Sequence, residues 1–116
     1  MTTVIIYKNN NKEYKGFVCM GHANYAKKHL FRYEPDILCS SISTLVINTM
    51  NCIEELAGEK ENMLFDTNEE TGFIKLDFKT TPNEKTVLLL DAMVLGLNTL
   101  VKKYGEKFLQ VKFEEV

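Results

Sequence analysis

The strongest constraint on the fold is that short β-prone runs and long helical runs alternate along the chain. Residues 3–7 (TVIIY) and 14–20 (YKGFVCM) are rich in β-branched and aromatic side chains, which favour strands. The three asparagines at positions 9–11 are typical of a turn. The sequence therefore predicts a β-hairpin at the start of the chain.

A long helical pattern follows this hairpin. From Asp36 onward, apolar residues recur mostly at steps of three and four, and Gly58 provides a stop signal. The recurring positions are Leu38, Ile42, Leu45, Val46, Ile53 and Leu56, with Thr49 between them. This periodicity predicts an amphipathic helix of about six turns.

The second half of the chain has the same plan. Residues 63–66 (MLFD) and 73–78 (FIKLDF) flank a turn-rich segment at 68–72, which predicts a second hairpin. Residues 81–84 (TPNE) supply a capping residue and an early proline, and Lys102, Lys103 and Gly105 are typical of a helix end. A second helix is therefore expected between them, and residues 108–113 (FLQVKF) predict a last strand.

The predicted order is ββαββαβ, an α+β fold. The simplest architecture for it is a mixed sheet of about five strands with the two helices packed on it. A chain of 116 residues has room for a single core, so we expect residues 1–116 to form one domain.

Charge and hydropathy exclude two broad classes of function. The 14 basic and 16 acidic residues are spread along the chain, which argues against a surface that follows nucleic-acid phosphates. The apolar run at 87–97 contains Asp91 and Gly96 and is too short to span a bilayer. Residues 1–8 lack the basic and then apolar segments of a signal peptide. We therefore expect a cytoplasmic protein that binds neither nucleic acid directly nor a membrane.

The three cysteines do not form a disulfide framework by number or spacing. Cys52 lies in the middle of the first predicted helix, where a cysteine is most often a small buried hydrophobe. Cys19 shares a strand face with Phe17 and precedes His22 by three residues, but with Cys39 these residues would supply only three metal ligands. We therefore expect no metal and no other cofactor.

Cys39 and His22 are the candidate catalytic residues. Cys39 falls in the first turn of the predicted helix, where backbone N–H groups and the helix dipole favour a thiolate. His22 follows the second predicted strand through Gly21, whose conformational freedom permits a turn. A thiolate, a histidine and first-turn N–H groups are the parts that a cysteine nucleophile needs. Spacing alone leaves open whether the two side chains meet or each has only a packing role.

Two short motifs resemble a known family. Gly21-His22-Ala23, and Asp36-Ile37-Leu38-Cys39 with Ser43 one turn later, resemble the motifs of the ribosomal-processing cysteine protease (Prp) family. The specific match covers residues 21–43, and the length and element order fit across nearly the whole chain. The resemblance implies a homodimeric cysteine endopeptidase that removes an N-terminal extension from a large-subunit ribosomal protein. It also implies that Cys39 is the nucleophile and His22 the general base.

Several neighbouring residues have alternative roles. Asp36 either caps the helix, which is the commoner role, or orients His22. Ser43 either lines the cleft or bonds the carbonyl four residues back. Phe31 and Tyr33, in a loop longer than the family pattern, are candidates to cover an aromatic substrate side chain.

A second histidine and a second function remain as alternatives. His29 is the competing base, but it lies in a cationic stretch (27–32) and is expected to be a solvated loop residue. The alternative function is a non-enzymatic, ribosome-associated module that uses the same groove to bind a peptide.

Overall fold

The computed structural model describes residues 1–21 and 37–116, which contain five strands and two long helices. The strands are β1 (Thr2–Lys8), β2 (Tyr14–Met20), β3 (Met63–Asn68), β4 (Phe73–Phe78) and β5 (Leu109–Glu115), and the helices are α1 (Ile37–Glu55) and α2 (Glu84–Tyr104). A single 3₁₀ turn, Lys60–Asn62, precedes β3. The predicted order ββαββαβ is confirmed.

All five strands belong to one sheet with the order β3-β4-β2-β1-β5. β1 pairs antiparallel with β2 and parallel with β5, and β4 pairs antiparallel with both β2 and β3. The predicted mixed sheet is therefore confirmed. β2 lies at its centre and β3 at one edge, and this difference determines the shape of the functional site.

The asparagine-rich turn between β1 and β2 is held by one side chain. The Oδ1 atom of Asn9 accepts hydrogen bonds from the backbone N–H groups of Asn11 and Glu13, each at 3.0 Å. Its Nδ2 group donates to the Glu13 carboxylate at 2.8 Å. The turn is thus built from the local chemistry that its sequence predicts.

The two helices cover one face of the sheet. Their buried positions are Leu38, Ile42, Val46, Thr49 and Ile53 in α1, and Thr86, Leu90, Met93 and Leu97 in α2. They form a common core with sheet residues that include Val4, Ile6, Phe17, Cys19, Leu76 and Phe78. The helices approach closely at Gly96, where an added Cβ would lie 2.7 Å from a methyl carbon of Leu45.

The first helix ends earlier than predicted. α1 has 19 residues, which is about five turns rather than six. Leu56 lies beyond its last residue and is 70% exposed, because the helix ends there and the chain turns through Gly58, whose φ is +70°. Ile37–Glu55 is long and apolar enough to cross a bilayer by length and composition alone, but its apolar stripe packs in the core.

A buried tyrosine connects α2 to the sheet. The hydroxyl of Tyr14, on β2, donates a hydrogen bond of 2.5 Å to Oδ1 of Asp91, on α2. Burial of the ring raises the pKa of Tyr14 well above its usual value of 10.0, and the hydrogen bond and negative charge of Asp91 raise it further. The neutral phenol is therefore the form that the folded protein stabilises.

Replacing this tyrosine is expected to change stability and its pH dependence. Tyr14→Phe should lower the free energy of unfolding at neutral pH by about 1–2 kcal/mol, through the lost hydrogen bond. In the wild type, the unfolded chain releases the Tyr14 proton near pH 10 while the folded protein retains it, so stability falls as the pH rises above 10. Urea denaturation across that range should show a smaller alkaline loss in Tyr14→Phe.

Asp91→Asn provides the control for this experiment. It removes the carboxylate but leaves the ring buried, and burial is the larger cause of the raised pKa. We therefore expect an alkaline loss between those of the wild type and Tyr14→Phe. Identical alkaline profiles for all three proteins would contradict the assignment.

Candidate active site

Cys39 is the third residue of α1 and lies at the helix end nearest the site. Its side chain is half-buried, beside the fully buried Leu38. This agrees with the prediction that the thiol flanks the apolar stripe and does not lie at its centre. The N–H groups in the first turn of a helix point toward its N-terminal end, where they favour negative charge.

Cys19 lies opposite α1, near the end of the central strand β2. It pairs with Val4 on one side and Ile74 on the other, and it faces the helices together with Phe17. Burial and, to a smaller extent, the charge of Cys39 together raise the pKa of Cys19 to about 11. Cys19 is therefore a neutral thiol near pH 7.

The chain leaves β2 through a turn that only glycine fits well. Gly21 has φ +86°, and an added Cβ would lie 2.5 Å from the carbonyl oxygen of Met1. The predicted use of glycine at this turn is confirmed. Its backbone conformation sets the direction in which the chain departs from the sheet, immediately before His22.

A cavity of about 500 Å³ lies between α1 and the β2-β4-β3 side of the sheet. Cys39 and Ser43 line it from α1, and Cys19 and Gly21 line it from the end of β2. The remaining wall includes Ile42, Ile47 and Met50 from α1 and Phe65, Phe73 and Ile74 from the second hairpin. A large apolar cavity with a thiol at its wall can hold a peptide side chain next to a nucleophile.

The structure brings together only part of the predicted site. Cys39 and Ser43 lie on the same cavity wall, one helical turn apart. The other predicted residues, which are His22, Phe31, Tyr33 and Asp36, and the competing base His29, lie outside the described residues. Their proposed roles therefore remain predictions.

The outcome differs for the two other cysteines. Cys19 is buried at 4% exposure, as its strand position predicts. Cys52, expected to be a small buried hydrophobe, is only half-buried. It lies thirteen residues after Cys39 in the same helix, which separates the two by about 20 Å along the axis.

Phe65 is a cavity residue that the sequence analysis missed. It pairs with Leu76, which is fully buried, yet Phe65 is 63% exposed on the same face of the sheet. The helical layer therefore ends short of this part of the edge strand. The sequence signal for Phe65 was weak. Phe65 shares a strand face with Met63, but only the position of α1 shows which part of that face the helices leave uncovered.

Comparison with known proteins identifies the family. The family model described as cysteine protease Prp matches residues 1–109 of the chain. The chain belongs to the cysteine protease Prp family. As a member of this family, the protein is a cysteine protease. The ribosomal processing cysteine protease Prp of Staphylococcus aureus is 27% identical over 106 residues, covering 91% of this chain and 93% of the relative.

Solved structures support the same fold. The S. aureus protease Prp, an essential ribosomal processing protease crystallised with a covalently linked product peptide, has a TM-score of 0.83 at 23% identity, covering 98% of this chain and all of that one. The same protease with a substrate peptide has a TM-score of 0.81 at 22% identity, with the same coverage. A Streptococcus mutans protein has a TM-score of 0.79 at 25% identity, covering 100% of this chain and 99% of that one.

Substitution of the turn glycine should destabilise this Prp family member. In Gly21→Ala, the left-handed backbone is strained and the new methyl group meets the Met1 carbonyl, so the free energy of unfolding should fall by at least about 2 kcal/mol. The midpoint of urea denaturation measures the loss.

Gly58→Ala is the matched control for this substitution. Gly58 also has a positive φ of +70°, but no heavy atom of the described residues lies within 4 Å of its added Cβ. Only backbone strain is introduced there, and the expected loss is about 1 kcal/mol. Equal losses for the two variants would show that the contact at Met1 has no effect.

Proposed function

We propose that this protein is a cytoplasmic endopeptidase that removes the N-terminal extension of a large-subunit ribosomal protein during ribosome assembly. The observation that carries the proposal is Cys39, placed in the first turn of α1 at the wall of an apolar cavity. The S. aureus relative is a ribosomal processing protease, and it has been crystallised with peptides. Membership of a protease family favours this function over a non-enzymatic peptide-binding module.

The proposed reaction proceeds in two stages. The Cys39 sulfur attacks the scissile carbonyl carbon, and the tetrahedral intermediate collapses to a thioester as the peptide C–N bond breaks. His22 takes the thiol proton and gives it to the departing amine. A water molecule, deprotonated by His22, then attacks the thioester, releases the carboxylate and restores the thiol.

Backbone N–H groups of the first turn of α1 are proposed to hold the oxyanion in both stages. These groups point toward the end of the helix where Cys39 lies, so they require little reorganisation as charge develops on the substrate oxygen. Asp36 is proposed to cap the helix or to orient His22, and Ser43 to support the cavity wall beside the nucleophile.

The cavity suggests which substrate side chains are accepted. Ile42, Phe65 and Phe73 give it an apolar lining with two aromatic rings, which suits a large apolar or aromatic side chain. Phe31 and Tyr33 are proposed to cover that side chain from the loop. The proposal includes a homodimer of single-domain chains spanning residues 1–116, without a cofactor and without direct contact to nucleic acid or membrane.

A cleavage assay tests the proposed nucleophile and base. An N-terminally extended large-subunit ribosomal protein is incubated with each variant, and the shortened product is followed by mass. Cys39→Ala should lower kcat/KM by roughly 10³-fold or more, and His22→Ala by roughly 10²- to 10⁴-fold. Cys52→Ala, a substitution in the same helix about 20 Å away, should cleave like the wild type. Cleavage by Cys39→Ala at the wild-type rate would overturn the proposal.

The proposed contact between Phe65 and the substrate is tested by comparing two neighbouring residues on β3. Phe65 lines the cavity, whereas Leu64 is also exposed but points to the opposite face of the sheet. Phe65→Ala should lower kcat/KM about tenfold for a substrate with an aromatic side chain near the cleavage site, since an apolar contact of this size contributes about 1–2 kcal/mol. Leu64→Ala should have little effect, and equal losses in both variants would contradict the assignment.

A further inference from the structure

Cys19 is a nucleophilic side chain at the active site for which the proposed reaction has no use. It lines the same cavity as Cys39, from the strand that faces the first turn of α1. It is also 4% exposed, so bulk solvent scarcely reaches it except through that cavity. A buried thiol beside a proposed nucleophilic thiol is an arrangement in which oxidation of one sulfur can involve the other.

Electrostatics assign different roles to the two sulfurs. Burial, and then the negative charge of Cys39, raise the pKa of Cys19 to about 11. Cys19 therefore remains a thiol near pH 7. Peroxides react with thiolates far faster than with thiols, so the buried Cys19 thiol reacts slowly. Cys39, the proposed nucleophile, is half-buried and more accessible, and it is therefore the sulfur that is oxidised first.

We propose that Cys19 is a resolving thiol that converts peroxide-oxidised Cys39 into a reversible disulfide. The inference rests on the proposed role of Cys39 as the nucleophile. It assigns a modification site to this cavity, with a peroxide such as H₂O₂ as the oxidant. The disulfide inactivates the protease by occupying Cys39, and a thiol reductant restores it.

The chemistry balances in two steps. The Cys39 thiolate attacks one peroxide oxygen, the O–O bond breaks, and hydroxide leaves and is protonated to water, so that Cys39 becomes a sulfenic acid. The Cys19 thiol then loses its proton, its sulfur attacks the Cys39 sulfur, and the S–O bond breaks to release a second water. In total, two thiols and one H₂O₂ give one disulfide and two waters.

The positions of the cysteines make the pairing selective. A disulfide requires Cα atoms about 4.4–6.8 Å apart, which favours sulfurs on packed, facing elements. Cys39 is in the terminal turn of α1, and the ends of helices adjust more easily than their centres. Cys52 lies about 20 Å further along the same helix and cannot take the place of Cys19.

Mass analysis of the oxidised protein tests the pairing directly. The full chain is treated with equimolar H₂O₂, its unreacted thiols are alkylated, and it is digested with trypsin. We expect a peptide containing Cys19 (16–27) bridged to one containing Cys39 (33–60). Because the second peptide also contains Cys52, the Cys52→Ser variant assigns the bridge and should form it as the wild type does.

Recovery of activity provides the second readout. Each protein is oxidised, reduced with dithiothreitol and compared with its own activity before oxidation. The wild type and Cys52→Ser should recover several-fold more activity than Cys19→Ala, in which Cys39 proceeds to sulfinic acid, an irreversible product. Cys19→Ser is measured in parallel, so that the result does not depend on how one variant packs in the core.

The outcomes separate this inference from the proposed function. Absence of the Cys19–Cys39 bridge in the wild type, or equal recovery in the Cys19 variants and the wild type, would overturn the resolving role while leaving the protease mechanism intact. A bridge that forms without loss of cleavage would support the thiol pair but show that Cys39 is not the nucleophile.

Discussion

Packing of the apolar stripe of α1 onto the central strand β2 is the interaction on which the site depends. Leu38 and Phe17 are both fully buried in the same core, and burying a side chain of this size contributes about 2 kcal/mol. Because Leu38 is held in the core, the adjacent Cys39 can only flank the stripe, at the cavity wall. The same packing places Cys39 at the wall of the cavity that Cys19, on β2, also lines. The position of Cys39 is thus a consequence of core packing.

The cavity arises because two helices do not cover five strands. α2 packs against β5 and α1 lies beside α2, so the face of the edge strand β3 is only partly covered. Phe65 consequently remains exposed while its strand partner Leu76 is fully buried. An uncovered apolar strip next to the Cys39 thiol is suited to a peptide, which can place a large side chain there and its backbone near the sulfur.

Much of the fold was predictable because its signals are local. These signals are runs of β-branched residues, the turn chemistry of Asn9, and the three- to four-residue periodicity of α1. Each acts between residues that are close in the chain, and together they predicted the strands and helices to within a few positions. Leu56 was misplaced because periodicity does not show at which residue a helix ends. The apolar positions of α2 were likewise ambiguous: Leu88 and Leu95 are 70% exposed, whereas Leu90 and Leu97 are buried.

By itself, the sequence determined the order of the elements, the glycine turn before His22 and the position of Cys39 in the first helical turn, since each depends on neighbouring residues. The two short motifs also indicated the protease family. Only the tertiary structure decided that Cys19 lies beside Cys39 and that Phe65 lines the cavity. Both are contacts between residues far apart in the chain, and they depend on the order of strands in the sheet and on how far the helices extend across it, which no local pattern specifies.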